Sequence, residues 1–159
     1  MRFNRYTEDE IASATSNFAD EIGEGGFGTV YSGRGLRKHD AVAVKVFERN
    51  GTDEAWRAKM RTVRREMALA RAVKHPNVMG IVGTMKTSTT FSIVYSTLAS
   101  CTLADMIEDK TFMPTVDRLH IALCVARGIQ ALHNMNFVHA DIKSQNVLMT
   151  GPAQVWCIF

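Results

Sequence analysis

Residues 21–33 read EIGEGGFGTVYSG, a glycine-rich stretch that continues into β-branched and aromatic residues. This composition predicts two strands joined by a glycine turn. The glycines fit the spacing GxGxxG, which lets backbone amides approach a phosphate closely because no Cβ intervenes. That spacing alone is a weak signal, so the segments on either side decide which fold it indicates.

Two kinds of nucleotide-binding fold use such a turn. A dinucleotide-binding fold needs an apolar strand before the glycines and a helix that begins on them. Here SNFADE precedes the glycines, and TVYSG, which has a low helix propensity, follows them. We therefore favour the alternative, a β-hairpin whose turn covers nucleotide phosphates and whose next strand carries a lysine.

The lysine of that next strand is Lys45, the only charged residue in the run AVAVKVF. A charge in such a run is costly unless it has a partner, although a lysine on an edge strand can also extend to water. The predicted helix 53–74 offers Glu66, which flanks the apolar stripe and can point toward the sheet. A helix glutamate considered alone is more often solvated. The stripe consists of Trp56, Met60, Val63, Met67 and Ala70.

The same helix carries a run of basic residues. We interpret this run as the exposed side of the helix, and a basic docking surface is the alternative. Its members are Arg57, Lys59, Arg61, Arg64, Arg65, Arg71 and Lys74.

The remaining segments alternate in type without the regular βαβ order of a parallel sheet, which indicates an α+β fold. Thr7 and Glu10 have capping-box spacing and predict a short helix that ends near Asn17. Further strands are predicted at 78–85 and 90–98, helices at 102–109 and 116–134, and a loop with a terminal hairpin at 136–159.

Composition narrows the class of protein. The 159 residues suffice for one domain, and 46% hydrophobic with 22% charged residues is typical of a soluble globular protein. A net charge of +3 does not indicate a nucleic-acid partner. The three scattered cysteines argue against disulfides or a zinc site. We expect a cytoplasmic protein with no membrane-spanning segment.

Five segments, taken in order, closely resemble the successive motifs of eukaryotic protein kinases. They are IGEGGFGTVYSG, AVAVKVF, RREMALARAVKHPNVMGIVG, VARGIQALH and VHADIKSQNVL. The opening residues are most similar to plant receptor-like and Pelle-type kinases. The resemblance implies an α+β fold with a flanking helix at 1–17, a β-sheet N-terminal lobe with one main helix at 18–97, and part of a helical C-terminal lobe at 98–159.

The resemblance also implies that ATP lies between the lobes beneath the glycine turn. Lys45, held by Glu66, would contact the α- and β-phosphates. Tyr95 would lie at the back of the adenine pocket, and residues 96–98 would form the hinge that offers backbone hydrogen bonds. The full set, in which the valine and the alanine contact the adenine, is Gly23, Gly25, Gly26, Phe27, Gly28, Val30, Ala43, Lys45, Glu66, Tyr95, Thr97 and Leu98.

The segment HADIKSQN matches the catalytic loop of the family. By resemblance, Asp141 accepts the proton of a substrate hydroxyl, Lys143 steadies the transferred phosphate and favours Ser/Thr specificity, and Asn146 binds Mg²⁺. His139 is expected to be a buried ring that orients the loop. Phosphoryl transfer needs such groups close together because it is mostly positioning and charge neutralisation. The partners implied are a protein substrate, or a kinase or receptor that holds the chain at the inner face of the plasma membrane.

Two departures from the kinase pattern bear on activity. Ala140 replaces the arginine that commonly pairs with a phosphorylated activation loop, so this switch is not expected here. The metal-binding aspartate would fall at Ile158 or Phe159, and neither is a carboxylate.

Helix 116–134 would expose apolar residues that later kinase helices cover. We expect an incomplete form of a kinase, and the alternative is a truncated pseudokinase that binds ATP or a protein without catalysis.

Overall fold

The structure, a computed structural model, describes residues 3–25, 28–111, 113–151 and 154–157. The chain divides into two compact units. The first comprises residues 1–67 and 80–98, and the second comprises residues 68–79 and 99–159. No helix in the described parts of the chain is long and apolar enough to span a bilayer.

The described residues form nine strands and four α-helices, which confirm the predicted α+β class. The strands are β1 Asn4–Tyr6, β2 Glu21–Gly25, β3 Gly28–Leu36, β4 His39–Glu48, β5 Ile81–Lys86, β6 Thr90–Tyr95, β7 Cys101–Thr102, β8 Val147–Gly151 and β9 Gln154–Cys157. The helices are α1 Glu8–Ala14, α2 Asp53–Ala72, α3 Leu103–Glu108 and α4 Thr115–His133.

The first unit is built on a six-stranded sheet in the order β1-β5-β6-β4-β3-β2. The two antiparallel hairpins β2–β3 and β3–β4 confirm the strands predicted around the glycine turn. Val42, Val44 and Val46 alternate along β4 and pack on one face of the sheet with Ile11 of α1. The period-2 pattern therefore places the core on that face and turns Lys45 to the other.

The capping box predicted for α1 is confirmed. The Glu10 amide donates to Thr7 Oγ1 at 3.2 Å, and the Thr7 amide donates to Glu10 Oε2 at 2.8 Å. The helix ends at Ala14 and not near Asn17. The reason lies in the backbone, because residues 16–18 adopt left-handed φ angles of 51°, 57° and 60°, which cannot continue an α-helix.

The strand β1 was not predicted from the sequence. It pairs in parallel with β5 along the edge of the sheet, so that Tyr6 lies opposite Met85. A Cβ on Gly83 would overlap the Tyr6 ring and lie 2.8 Å from the Asn4 carbonyl oxygen. Glycine at that position lets the edge strand approach, and Tyr6 is thereby only 5% exposed. A three-residue strand is too short to show a periodic pattern.

The second unit contains the three-stranded sheet β7-β8-β9. The β8–β9 pair confirms the predicted terminal hairpin, with Leu148 opposite Trp156. Asn77, in the segment between α2 and β5, contacts this hairpin. Its Nδ2 donates to the Val155 carbonyl oxygen at 2.9 Å. This unit has two buried hydrophobic clusters, one of Ile121, Cys124, Val147, Met149 and Val155, and one of Leu69, Val73, Val78 and Leu132.

The helix α4 buries one side and exposes another. Ile121 and Leu132 are buried, while Val116, Leu119 and Leu123 are 69%, 67% and 47% exposed. The apolar exposure expected for this helix is thus present among the described residues.

An arginine fork joins α1 to the turn after β3. Arg37 Nε donates to Glu10 Oε1 at 2.7 Å, and its Nη2 donates to Glu10 Oε2 at 3.0 Å. The guanidinium carbon also lies 4.7 Å from the centroid of the Tyr6 ring. The Arg37 hydrogen bond, followed by that from the Thr7 backbone, lowers the pKa of Glu10 from 4.5 to about 2.

This geometry predicts a pH dependence in the acid range. Because folding lowers the pKa of Glu10, its contribution to stability is present above the ordinary value of 4.5 and is lost as the pH falls toward about 2. Carbon-detected NMR titration of the Glu10 carboxyl should give a pKa near 2 in the native chain. Arg37→Gln should raise that pKa toward its ordinary value.

The matched control is Lys38→Gln, which removes the same charge from the neighbouring exposed position. It should leave the Glu10 titration close to that of the native chain. An equal rise in both variants would show that overall charge, and not the fork, lowers the pKa.

Candidate functional site

Four of the predicted nucleotide contacts share one face of the first unit's sheet. Lys45 lies opposite Val30 of β3 and opposite Ile93 of β6. Ala43, two positions before Lys45, lies opposite Tyr95. Residues directly opposite or two apart on a strand point to the same side. Val30, Ala43, Lys45 and Tyr95 therefore line a common surface, on the side away from the α1 core.

Lys45 meets its predicted partner on this surface. Its Nζ lies 3.6 Å from Glu66 Oε2, and the two side chains are 19% and 7% exposed. Glu66 thus points inward from α2 and is not a solvated helix residue. Because β4 lies between β3 and β6, the alternative of an edge-strand lysine extending to water does not apply.

Tyr95 completes this cluster through a contact that was not predicted from the sequence. Its hydroxyl donates a hydrogen bond to Glu66 Oε1, so that the two carboxylate oxygens are divided between Tyr95 and Lys45. Burial, and then the negative charge of Glu66, raise the pKa of Tyr95 well above its usual range. Tyr95 therefore acts as a neutral hydrogen-bond donor.

The glycine turn is only partly described. Gly25 pairs with Gly28 where β2 and β3 meet, and the predicted contacts Gly26 and Phe27 lie outside the described residues. Gly28 has a φ of 151°, and a Cβ there would overlap the Val46 carbonyl oxygen. Close packing of β3 on β4 thus requires glycine at this position, whatever the turn binds.

Three further predicted contacts lie at half-buried positions. A Cβ on Gly23 would have no neighbour within 4 Å, so open space surrounds this position. Thr97 and Leu98 are half-buried and follow the end of β6 as irregular backbone. The residue before them is anchored, because the Ser96 amide donates to the Gly80 carbonyl oxygen at 2.9 Å.

The three predicted catalytic-loop residues come together in the second unit. Lys143 Nζ lies 2.9 Å from Asp141 Oδ2. Asn146 Nδ2 donates to the same Oδ2 at 3.0 Å and to the Asp141 carbonyl oxygen at 2.8 Å. His139 Nδ1 accepts from the Asp141 amide at 3.2 Å, which agrees with an orienting role, although the ring is half-buried and not buried.

The charge of Asp141 is favoured by its neighbours. The hydrogen bond from Lys143 is the largest cause, followed by that from Asn146, and together they lower the pKa of this exposed carboxyl. Ala140, just before it, has a φ of 66°. This left-handed conformation is uncommon for a residue with a Cβ and marks the sharp turn that presents Asp141.

The chemistry of the loop suits part of a Mg²⁺ site. The hydrogen bonds of Asn146 use its Nδ2, which leaves its amide oxygen for a hard cation. Among the described residues, no three His, Cys, Asp or Glu side chains cluster to form a metal site. Ile158 and Phe159, where the sequence places the missing aspartate, lie outside the described residues. Within the described residues, Asn146 thus offers one oxygen ligand to a cation.

The buried hydroxyl of Tyr95 predicts a stability effect. Tyr95→Phe leaves Glu66 Oε1 without its buried donor, which should lower the free energy of unfolding by about 1–3 kcal/mol. Denaturant unfolding measures this change. As a control, Tyr31→Phe removes a hydroxyl from the same unit and should change the free energy by less than about 0.5 kcal/mol. Equal losses in the two variants would contradict the proposed hydrogen bond.

The loop geometry predicts how Asp141 titrates. Lys143→Met removes the largest cause of its low pKa, so the pKa should rise toward the ordinary value of 3.8. NMR titration of the Asp141 carboxyl measures the shift. Lys110→Met, an exposed lysine of the same unit, serves as the matched control. An unchanged pKa in Lys143→Met would show that the ion pair does not form in solution.

The sequence of the chain is similar to those of known proteins. Residues 16–157 match the family model of the protein kinase domain. The chain is 34% identical over 91% of its length to an Arabidopsis thaliana leaf rust 10 disease-resistance locus receptor-like protein kinase-like protein, number 1.2. It is 36% identical over 91% of its length to a probable LRR receptor-like serine/threonine-protein kinase of Arabidopsis thaliana. It is 34% identical over 88% of its length to mouse interleukin-1 receptor-associated kinase 1.

The matched region is a small part of each relative. The chain spans 22%, 13% and 20% of the lengths of these three proteins. The family match nevertheless covers residues 16–157, which is most of this chain. On these grounds, the chain belongs to the protein kinase domain family.

Proposed function

We propose that this chain carries the ATP-binding and catalytic-loop residues of a protein kinase that transfers the γ-phosphate of ATP to Ser or Thr of a protein. The observation that carries the proposal is the ion pair of the half-buried Lys45 with the buried Glu66. A lysine held by a carboxylate in the middle of a sheet is costly for folding alone and suits a phosphate contact. The serine/threonine assignment rests on Lys143 and on the similarity to the LRR receptor-like serine/threonine-protein kinase.

The nucleotide side of the proposal uses the first unit. Lys45 supplies a positive charge to the phosphates, and Glu66 keeps its ammonium group on the surface shared by Val30 and Ala43. Tyr95 holds the second oxygen of Glu66 and limits the depth of the adenine pocket. The backbone amides of β2 near Gly23 add hydrogen-bond donors for phosphate oxygens.

The transfer side of the proposal uses the second unit. The Asp141 carboxylate accepts the proton of the substrate hydroxyl while that oxygen forms a bond to the γ-phosphorus and the bond to ADP breaks. Lys143 offsets negative charge on the transferred group. Asn146, through its amide oxygen, would help to hold Mg²⁺, which supplies charge neutralisation for the phosphates when it is bound.

The first test is nucleotide binding by the whole chain. We expect Lys45→Met to weaken the binding of ATP at least about tenfold, since it removes the cation that the phosphates contact. Isothermal titration calorimetry measures the affinity. Lys38→Met, an exposed lysine on the same unit, is the control and should bind ATP as the native chain does. Equal affinities in all three proteins would overturn the nucleotide site.

The second test is phosphate transfer. Radiolabelled ATP with dephosphorylated casein as the acceptor should give labelled phosphoserine, and Asp141→Asn should lower the rate at least about a hundredfold because it removes the proton acceptor. Transfer that persists in the variant would come from a contaminant. ATP binding without any transfer by the native chain would favour the alternative function, a nucleotide-binding or docking module without catalysis.

A further inference from the structure

One side of α2 carries a charged surface that the proposed function does not use. The helix buries Val63 and Glu66 on its inner side. Its outer side presents four exposed arginines within an arc of about 100° and a length of about 12 Å along the helix axis. We call this surface the arginine face, and its members are Arg57, Arg61, Arg64 and Arg65.

No ion pair among the described residues involves the arginine face, and the one acidic residue on this side of α2 is the exposed Glu54, three residues before Arg57. Asp53, in the first turn of α2, pairs with Arg49 at 2.6 Å. Around Arg61, the positions three and four residues away hold Ala58 and the other three arginines. Like charges at this spacing disfavour a helix. The arginines around Arg61 therefore repel one another, and an anionic partner would reduce that repulsion.

The chemistry of the face selects an oxyanion. All four cations are arginines, whose planar guanidinium groups bind carboxylates through two parallel hydrogen bonds. From this we infer that the arginine face docks a short acidic segment of a protein partner, which presents a row of Asp or Glu carboxylates. An extended segment of about four residues spans the length of the face.

Other polyanions fit this surface less well. The large hydrophobic residues that are exposed in the described chain all lie outside α2, and Trp56 is half-buried. The face thus offers no aromatic platform for stacking nucleic-acid bases and no apolar anchor for a bilayer. The whole chain carries 16 acidic residues and a net charge of only +3, so a long polyanion would also meet repulsive surface. A short acidic peptide avoids both problems.

The test measures binding of a fluorescent twelve-residue peptide, in which glutamate alternates with serine, to the full chain by anisotropy. We expect binding that weakens as salt rises from about 0.05 to about 0.3 M. Arg61→Gln with Arg65→Gln should weaken it at least about tenfold, since two of the four cations are lost. A peptide with glutamine in place of glutamate should not bind.

The matched control is Arg34→Gln with Lys38→Gln, which removes two exposed cations from the same unit. It should alter the affinity by less than about twofold. The doubly substituted arginine face should unfold at the same temperature as the native chain or higher, because like-charge repulsion falls. A loss of binding then reports the surface and not unfolding.

Three results would overturn the inference. The first is the absence of binding by the native chain, and the second is an equal loss in the two double variants. The third is tighter binding of a single-stranded RNA, or of vesicles with phosphatidylserine, that requires the same arginines. Peptide binding needs no nucleotide, so this test stands apart from the ATP measurements and the two proposals can fail separately.

Discussion

The ion pair of Lys45 with Glu66 is the constraint on which the first unit depends. An ammonium group in an interior strand is tolerated only if a carboxylate reaches it, and Glu66 on α2 meets that need at 3.6 Å. The pair fixes which side of α2 faces the sheet. Tyr95 then occupies the other carboxylate oxygen, so that strand β6 contributes to the same cluster. An apolar pair would stabilise such a site at least as well, which favours a role in binding over a role in stability.

The orientation of α2 also determines what the helix shows to solvent. Because Glu66 points inward, residues about half a turn away in projection point outward, and they include Arg57, Arg61 and Arg64 of the arginine face. The catalytic loop contrasts with this buried cluster. Asp141 and Lys143 are about half exposed or more, at 61% and 50%, so their ion pair contributes orientation and local charge more than folding energy.

Local structure could be predicted wherever the residues that determine it lie close together in the sequence. The capping box of Thr7 and Glu10, the apolar stripe of α2 and the hairpin strands around the glycine turn all involve neighbours in sequence. Prediction failed where distant residues decide the outcome. The strand β1 exists because β5 offers an open edge and Gly83 leaves space for the Tyr6 ring. The two-residue strand β7 likewise forms only by pairing with β8.

For the candidate site, the sequence by itself determined which side chains are present and their order along the chain. The spacing of Asp141, Lys143 and Asn146 within one loop suffices to bring them together, because so few residues cannot separate far. Only the tertiary structure decided the second partner of Glu66. Its contact with Tyr95 joins residues 29 positions apart. That contact depends on the pairing of β4 with β6 and on the rotation of α2, and neither is encoded in the local pattern of either segment.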